Sequence, residues 1–194
     1  IPAGMADEFP TREQATAEAY DAERRFRYSD PQLFALAQWL YALEPPENPN
    51  ALDDLARRGQ ELFAEEECGR CHTPPLYTSN RLVPSPGFAV PEALKASEAI
   101  HGRGVGTDPR LTQTTRRGTG FYKVPSLLGV WYRGPFHHDG SIASLEDWFD
   151  PRRLQDDYVP TGWNPGGAAR PIEGHQFGLD LEADEREALI AFLR

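Results

Sequence analysis

The chain has 194 residues, room for one good core or for a small core plus an appendage. A formal net charge of −10 argues against a nucleic-acid partner and against an anionic membrane surface, and it would attract a basic protein, although many soluble proteins carry such a balance. Eighteen prolines and seventeen glycines, beside 39% apolar residues, describe a loop-rich globular protein whose loops are ordered around something, a role that a cofactor fits. No stretch reaches the run of about eighteen apolar residues that a membrane span requires. The start, Ile1-Pro2-Ala3-Gly4, has neither an initiator methionine nor a signal-like apolar segment, and reads as a mature or trimmed chain.

From about Thr11 to Tyr28 the pattern is helical and polar; from Pro31 to Leu43 it is helical and apolar, with Leu33, Phe34, Leu36, Ala37, Leu40 and Tyr41 recurring at three and four. Pro45, Pro46 and Pro49 then stop it. Residues 1–50 therefore read as a helical extension with a Pro-rich linker, either the end of a preceding domain or a wrap over residues 51–194. Asp53 to Glu67 is the next helix, capped by Asp53 or Asp54, with Leu55, Leu62 and Phe63 inward. Gly59 near its middle costs about 1 kcal/mol relative to alanine, which a closely crossing helix would explain. Glu182 to Leu193 is that partner, with Leu189, Phe192 and Leu193 as its stripe. Between the two, Thr73 to Pro91 reads as loop, Glu92 to Ala99 as a short helix and Gly102 to Gly120 as loop. The fold class is mainly α.

The Asp53 helix delivers Cys68-Gly69-Arg70-Cys71-His72. Two thiols two residues apart can add across the two vinyl groups of haem and set the following imidazole under the iron as proximal ligand. These are the only two cysteines, so no second pair exists to complete a structural zinc site. A thioredoxin-type redox pair is the other alternative. It needs strand–turn–helix packaging, whereas a polar helix precedes this pair and a Pro-rich loop follows.

Ala56-Arg57-Arg58-Gly59-Gln60-Glu61-Leu62-Phe63 running into that motif, with an amphipathic helix to close the chain, resembles a c-type cytochrome domain. The segments Phe121-Tyr122-Lys123-Val124-Pro125-Ser126-Leu127-Leu128 and His138-Asp139-Gly140-Ser141-Ile142-Ala143-Ser144-Leu145-Glu146 are similar to the second haem domain of the bacterial di-haem cytochrome c peroxidase and methylamine-utilisation group. The resemblance covers roughly Ala51 to Arg194. It implies one covalent haem c and, since such attachment takes place outside the bacterial cytoplasm, a periplasmic or otherwise extracytoplasmic protein. The group's calcium site uses a Thr-x-Pro element; Arg133 stands where that threonine would be, which speaks against calcium here.

The occupant of the sixth iron position decides the chemistry. Methionine is excluded in practice, because the only one is Met5, far outside the domain. In cytochrome domains the distal ligand sits on the loop ahead of the closing helix, where Gly174-His175-Gln176 stands, so His175 is the first choice. His138 is the second; otherwise it has a hydrogen-bonding role with Asp139. His137 reads as an ordinary surface histidine, and His101 as a loop histidine or a reach toward an additional haem. Arg70, Arg110, Arg116, Arg117, Lys123 and Arg133 are candidates for the haem propionates, with Lys123 and Arg133 preferred because they lie in the family-like segment. Trp131, Tyr132, Trp148 and Trp163 could relay electrons but read first as core. The expectation is a mono-haem electron carrier between extracytoplasmic redox partners, with no catalytic residues assigned. The alternative is the haem domain of a di-haem peroxidase or oxidase whose second haem lies on another segment or chain.

Overall fold

The structure, a computed structural model, describes residues 28–114 and 118–194. The chain divides into two compact units, Ile1–Pro46 and Glu47–Arg194. The helix expected from Thr11 lies, but for Tyr28, outside the described residues, as do Met5, Arg116 and Arg117. In the first unit, α1 spans Asp30–Tyr41, with Pro31 in its first turn and the Gln32 side chain accepting the Ser29 N–H at 2.7 Å. None of its residues is buried, and Phe34, Trp39 and Tyr41 are exposed.

The second unit is built on two helices. α2 spans Asp54–Glu65 and starts where Asp53 accepts the Ala56 N–H at 3.0 Å, which settles the cap on Asp53. Its inward face is Ala56, Gly59, Leu62 and Phe63, while Leu55, expected inward, is exposed. α6, the closing helix, spans Ala183–Leu193. They cross at Gly59, where a Cβ would stand 1.9 Å from the Ala188 carbonyl oxygen and 2.8 Å from the Phe192 Cβ. Full burial in α6 falls on Ala188, Leu189 and Ile190, whereas Phe192 and Leu193 are half-buried against the core. Val130, Leu145, Phe149 and Leu181 complete that core, and Phe63, Tyr77 and Phe192 meet edge to face with centroids 5.4 to 6.1 Å apart.

Between these helices the chain contains more regular structure than its composition suggests. Leu82–Pro84 (β1) pairs antiparallel with Phe121–Lys123 (β2), Val83 opposite Tyr122, in a stretch read as loop. The expected helix from Glu92 lasts only to Lys95 (α3), and Arg110–Thr114 forms an unexpected short helix, α4. A single helical turn, Leu145–Trp148 (α5), and a 3-10 turn, Pro151–Leu154, follow the His-Asp-Gly segment. The described residues are thus mainly α with one two-stranded ribbon and long ordered loops. No helix among them is long and apolar enough to cross a membrane.

Candidate functional site

α2 ends at Glu66, Glu67 turns the chain with a positive φ of 56°, and Cys68–Arg70 forms a 3-10 turn. The Cys68 carbonyl accepts the N–H groups of Cys71, at 3.2 Å, and His72, at 2.9 Å, so one turn aims both thiols and the imidazole. Neither cysteine is in a disulfide, and both are half-buried. Burial pushes the Cys68 thiol up to about 11 and raises Cys71 too, against the pull of Arg70, Arg81 and Arg103. A redox pair works through a lowered thiol pKa, so both shifts run against that alternative.

The His72 ring is fixed from behind. A carbonyl can only accept, so the 3.1 Å contact with Tyr77 places the proton on Nδ1 and leaves Nε2 as the free lone pair. Burial lowers the His72 pKa, partly offset by the Tyr77 and Pro125 carbonyls, which keeps the ring neutral near pH 7. The family-like segment after β2 builds this backing: Thr78 donates to the Val124 carbonyl at 2.7 Å, Ser126 to Leu76 at 2.6 Å, and the Leu127 N–H to Tyr77 at 3.3 Å.

His175 comes in on the loop before α6. Its Nδ1 is buried with no hydrogen-bond partner among the described residues, and its ring meets Trp148 and Phe177 at 5.3 and 5.6 Å. Burial first, then the charges of His72 and Arg153, holds its pKa down to about 4. A neutral imidazole is the form that binds metal.

Arg153, which the sequence reading passed over, carries this loop. Wholly buried, it donates to the carbonyls of Trp148 at 2.8 Å, Ile172 at 2.7 Å and His175 at 2.6 Å, and its guanidinium lies 5.1 Å over the Trp148 ring. Its neighbour Arg152 is exposed and pairs with Asp150 at 2.7 Å. Nothing in an Arg-Arg pair says which one turns inward.

The His-Asp-Gly segment corrects two expectations. His137 is no surface histidine: its side chain is 4% exposed and donates from Nδ1 to Asp139 at 3.0 Å. Its Nε2 is then the acceptor for His138 Nδ1 at 3.2 Å, so the Asp139 partner is His137 rather than His138. His138 turns its Nε2 toward Asp108, 3.9 Å away. His137, His138 and Asp139 bring ligand atoms within 4.8 Å of one another, but both His137 nitrogens are already committed in this chain of contacts.

Although burial opposes it, hydrogen bonds from Ser141 and His137 hold the Asp139 carboxyl well below the usual carboxylate range, and Arg170 pairs with it at 3.1 Å. A depressed carboxyl contributes stability above its unfolded pKa of about 4 and loses that contribution as pH falls further. Thermal melts from pH 6 to pH 2.5 are therefore expected to show a steeper acid loss in the native protein than in Asp139→Asn. Parallel curves would remove Asp139 as a contributor.

The remaining candidates are dispersed. Lys123 is exposed on β2, and Arg133 is exposed with its guanidinium donating to the Ser126 carbonyl at 2.6 Å. Arg70 pairs with Glu67 at 2.8 Å and Arg110 with Asp108 at 2.8 Å. His101 is half-buried, 2.8 Å from the Ser79 hydroxyl. Of the aromatic residues read as core, Trp163 is 67% exposed and Tyr132 46%, whereas Trp148 packs against the core beside His175.

The described residues form a mainly α chain with a free thiol pair and, at His72 and His175, two imidazoles whose pKa burial lowers. The chain is related to the di-haem cytochrome c peroxidase and MauG-type proteins. It is 26% identical over 162 residues to cytochrome-c peroxidase IdrP1 of Denitromonas iodatirespirans, matching 74% of this chain and 40% of that protein. It is 29% identical over 146 residues to the methylamine utilization protein MauG of Methylorubrum extorquens, 74% of this chain and 35% of that one. The matched region thus spans well under half the length of these relatives. No family model matches the chain.

Proposed function

We propose that residues 51–194 form a cytochrome c-like domain holding one covalent haem c, and that it passes single electrons between redox partners outside the cytoplasm. Cys68 and Cys71 would hold the porphyrin by thioethers, and His72 and His175 would supply nitrogen ligands to its iron, with His138 the second choice in place of His175. Lys123 and Arg133 are its first candidates for contact with the porphyrin's carboxylates. When bound, the haem supplies a one-electron iron couple; the protein's own part is to orient two neutral imidazoles and keep water from them.

One observation carries this reading: the chain holds a tautomer-fixed His72 directly after its thiol pair and, on the loop before α6, a His175 whose Nδ1 is buried and unpartnered among the described residues. Two strong-field nitrogens leave no open position for a substrate, which favours electron transfer, and imidazole in place of methionine predicts a low potential. A second reading, the haem domain of a peroxidase-type enzyme with its other haem elsewhere, is favoured by the relatives' names and by their greater length. The test is the iron spin state of the purified chain with and without peroxide. A low-spin spectrum unmoved by peroxide is the expected result; a high-spin spectrum with peroxide turnover would replace the carrier with the enzyme.

A further inference from the structure

Arg81 and Arg103 have no acidic partner among the described residues. Arg81 immediately precedes β1, and one terminal nitrogen donates to the Ile100 carbonyl at 2.9 Å. Its Nε is buried and has no hydrogen-bond partner among the described residues. A buried guanidinium N–H left unmade costs about 1–3 kcal/mol or more, so the position calls for an acceptor. Arg103 lies beyond His101, with its guanidinium 5.2 Å over the Phe177 ring, and Phe177 is the ring beside His175. No ion pair or hydrogen bond engages it among the described residues. The Ser79 N–H, two residues before Arg81, donates to the Cys71 carbonyl at 2.7 Å, and the Ser79 hydroxyl meets His101, two residues before Arg103, at 2.8 Å, so both arginines spring from the segments packed on the thiol turn. In a chain with 30 acidic residues against 20 Lys and Arg, two cations converging on one place without a carboxylate indicate that the anion comes from outside the polypeptide.

We propose that Arg81 and Arg103 form a carboxylate-binding pair for the two propionate groups of a porphyrin attached at Cys68 and Cys71, an inference that rests on the haem reading above. A planar guanidinium takes a carboxylate through two parallel N–H donors. Arg81 offers its Nε–H and the remaining terminal N–H, and Arg103, stacked on Phe177, keeps its whole donor edge available. Arg70 is held by Glu67, and Lys123 and Arg133, the candidates named above, are exposed, so Arg81 with its buried unpartnered Nε takes precedence over them.

The test uses the full haem-loaded chain and the variants Arg81→Gln, Arg103→Gln and the double, with Lys95→Gln as an exposed control on α3. Intact mass reads attachment, resonance Raman reads the propionate bending bands, and titration reads the midpoint potential. Each single variant is expected to keep its haem, shift those bands and lower the potential, with the double variant lowest and Lys95→Gln unchanged. Arg103→Gln removes no hydrogen bond among the described residues, so it decides the matter even if Arg81→Gln folds poorly. Unchanged bands and potential in a haem-bearing Arg103→Gln would overturn the proposal and leave the haem reading standing. Unchanged bands with weakened binding of an acidic peptide would reassign the two cations to a partner's carboxylates, and overturn it likewise. A native chain without porphyrin mass would overturn both readings together.

Discussion

Gly59→Val is expected to unfold at a markedly lower temperature than the native protein. On helix propensity alone, replacing glycine inside α2 would gain a few tenths of a kcal/mol, and alanine about 1 kcal/mol. Packing decides the outcome in the opposite direction. The first carbon added at this position meets the Ala188 carbonyl oxygen at 1.9 Å and its carbon at 2.5 Å, and these are backbone atoms that no rotamer change can move. Relief requires α2 and α6 to separate, which opens the contact that buries Leu62, Phe63 and Leu189. Overpacking of this kind costs about 3 kcal/mol or more, equivalent to roughly 6–12 °C in a chain of this size. Gly59→Ala should fall between Val and native despite its better propensity. A melting temperature for Gly59→Ala equal to or above the native value would show that the crossing is looser than described.

His175→Ala is expected to convert the iron from low-spin to high-spin while leaving the haem attached, because the thioethers are on the other loop. The ring has no hydrogen bond at Nδ1 to lose among the described residues and meets Trp148 edge-on and Phe177 at a tilt, so its deletion costs about 1–3 kcal/mol of stability through lost packing. The spectroscopic change should be complete rather than partial. Added imidazole should restore the low-spin spectrum by entering the space that the side chain leaves. His138→Ala is the internal comparison: its Nε2 faces the Asp108 carboxylate at 3.9 Å, so its loss should leave the iron spectrum unchanged. If the two variants exchanged behaviours, the distal assignment would pass to His138.

The parts of this molecule that were legible in its sequence are those with a long period or a fixed spacing. α2 and α6 announce themselves by apolar residues at three and four, and Gly59 marks their crossing because a glycine inside a helix is costly without a reason. The Cys-x-x-Cys-His turn is legible because the chemistry itself sets the spacing. β1 was not: three residues ending in proline give no alternation to read, and its partner β2 lies about forty residues away. α4 was read as loop because five residues hold too little of a helical period. His137, the Asp139 partner, also takes a positive φ of 73°, a backbone state that nothing in the local sequence signals. Arg153 and Arg81 act through backbone carbonyls that only tertiary structure brings to them, so neither belongs to any motif.

Attachment of one iron porphyrin to this polypeptide is tested most directly by intact-mass measurement with a reduced-minus-oxidised spectrum. The expected result is the chain mass plus a single haem, with the sharp visible bands of a six-coordinate reduced thioether-linked haem and no free thiol at Cys68 or Cys71. A colourless protein of bare polypeptide mass, both cysteines open to alkylation, would contradict it.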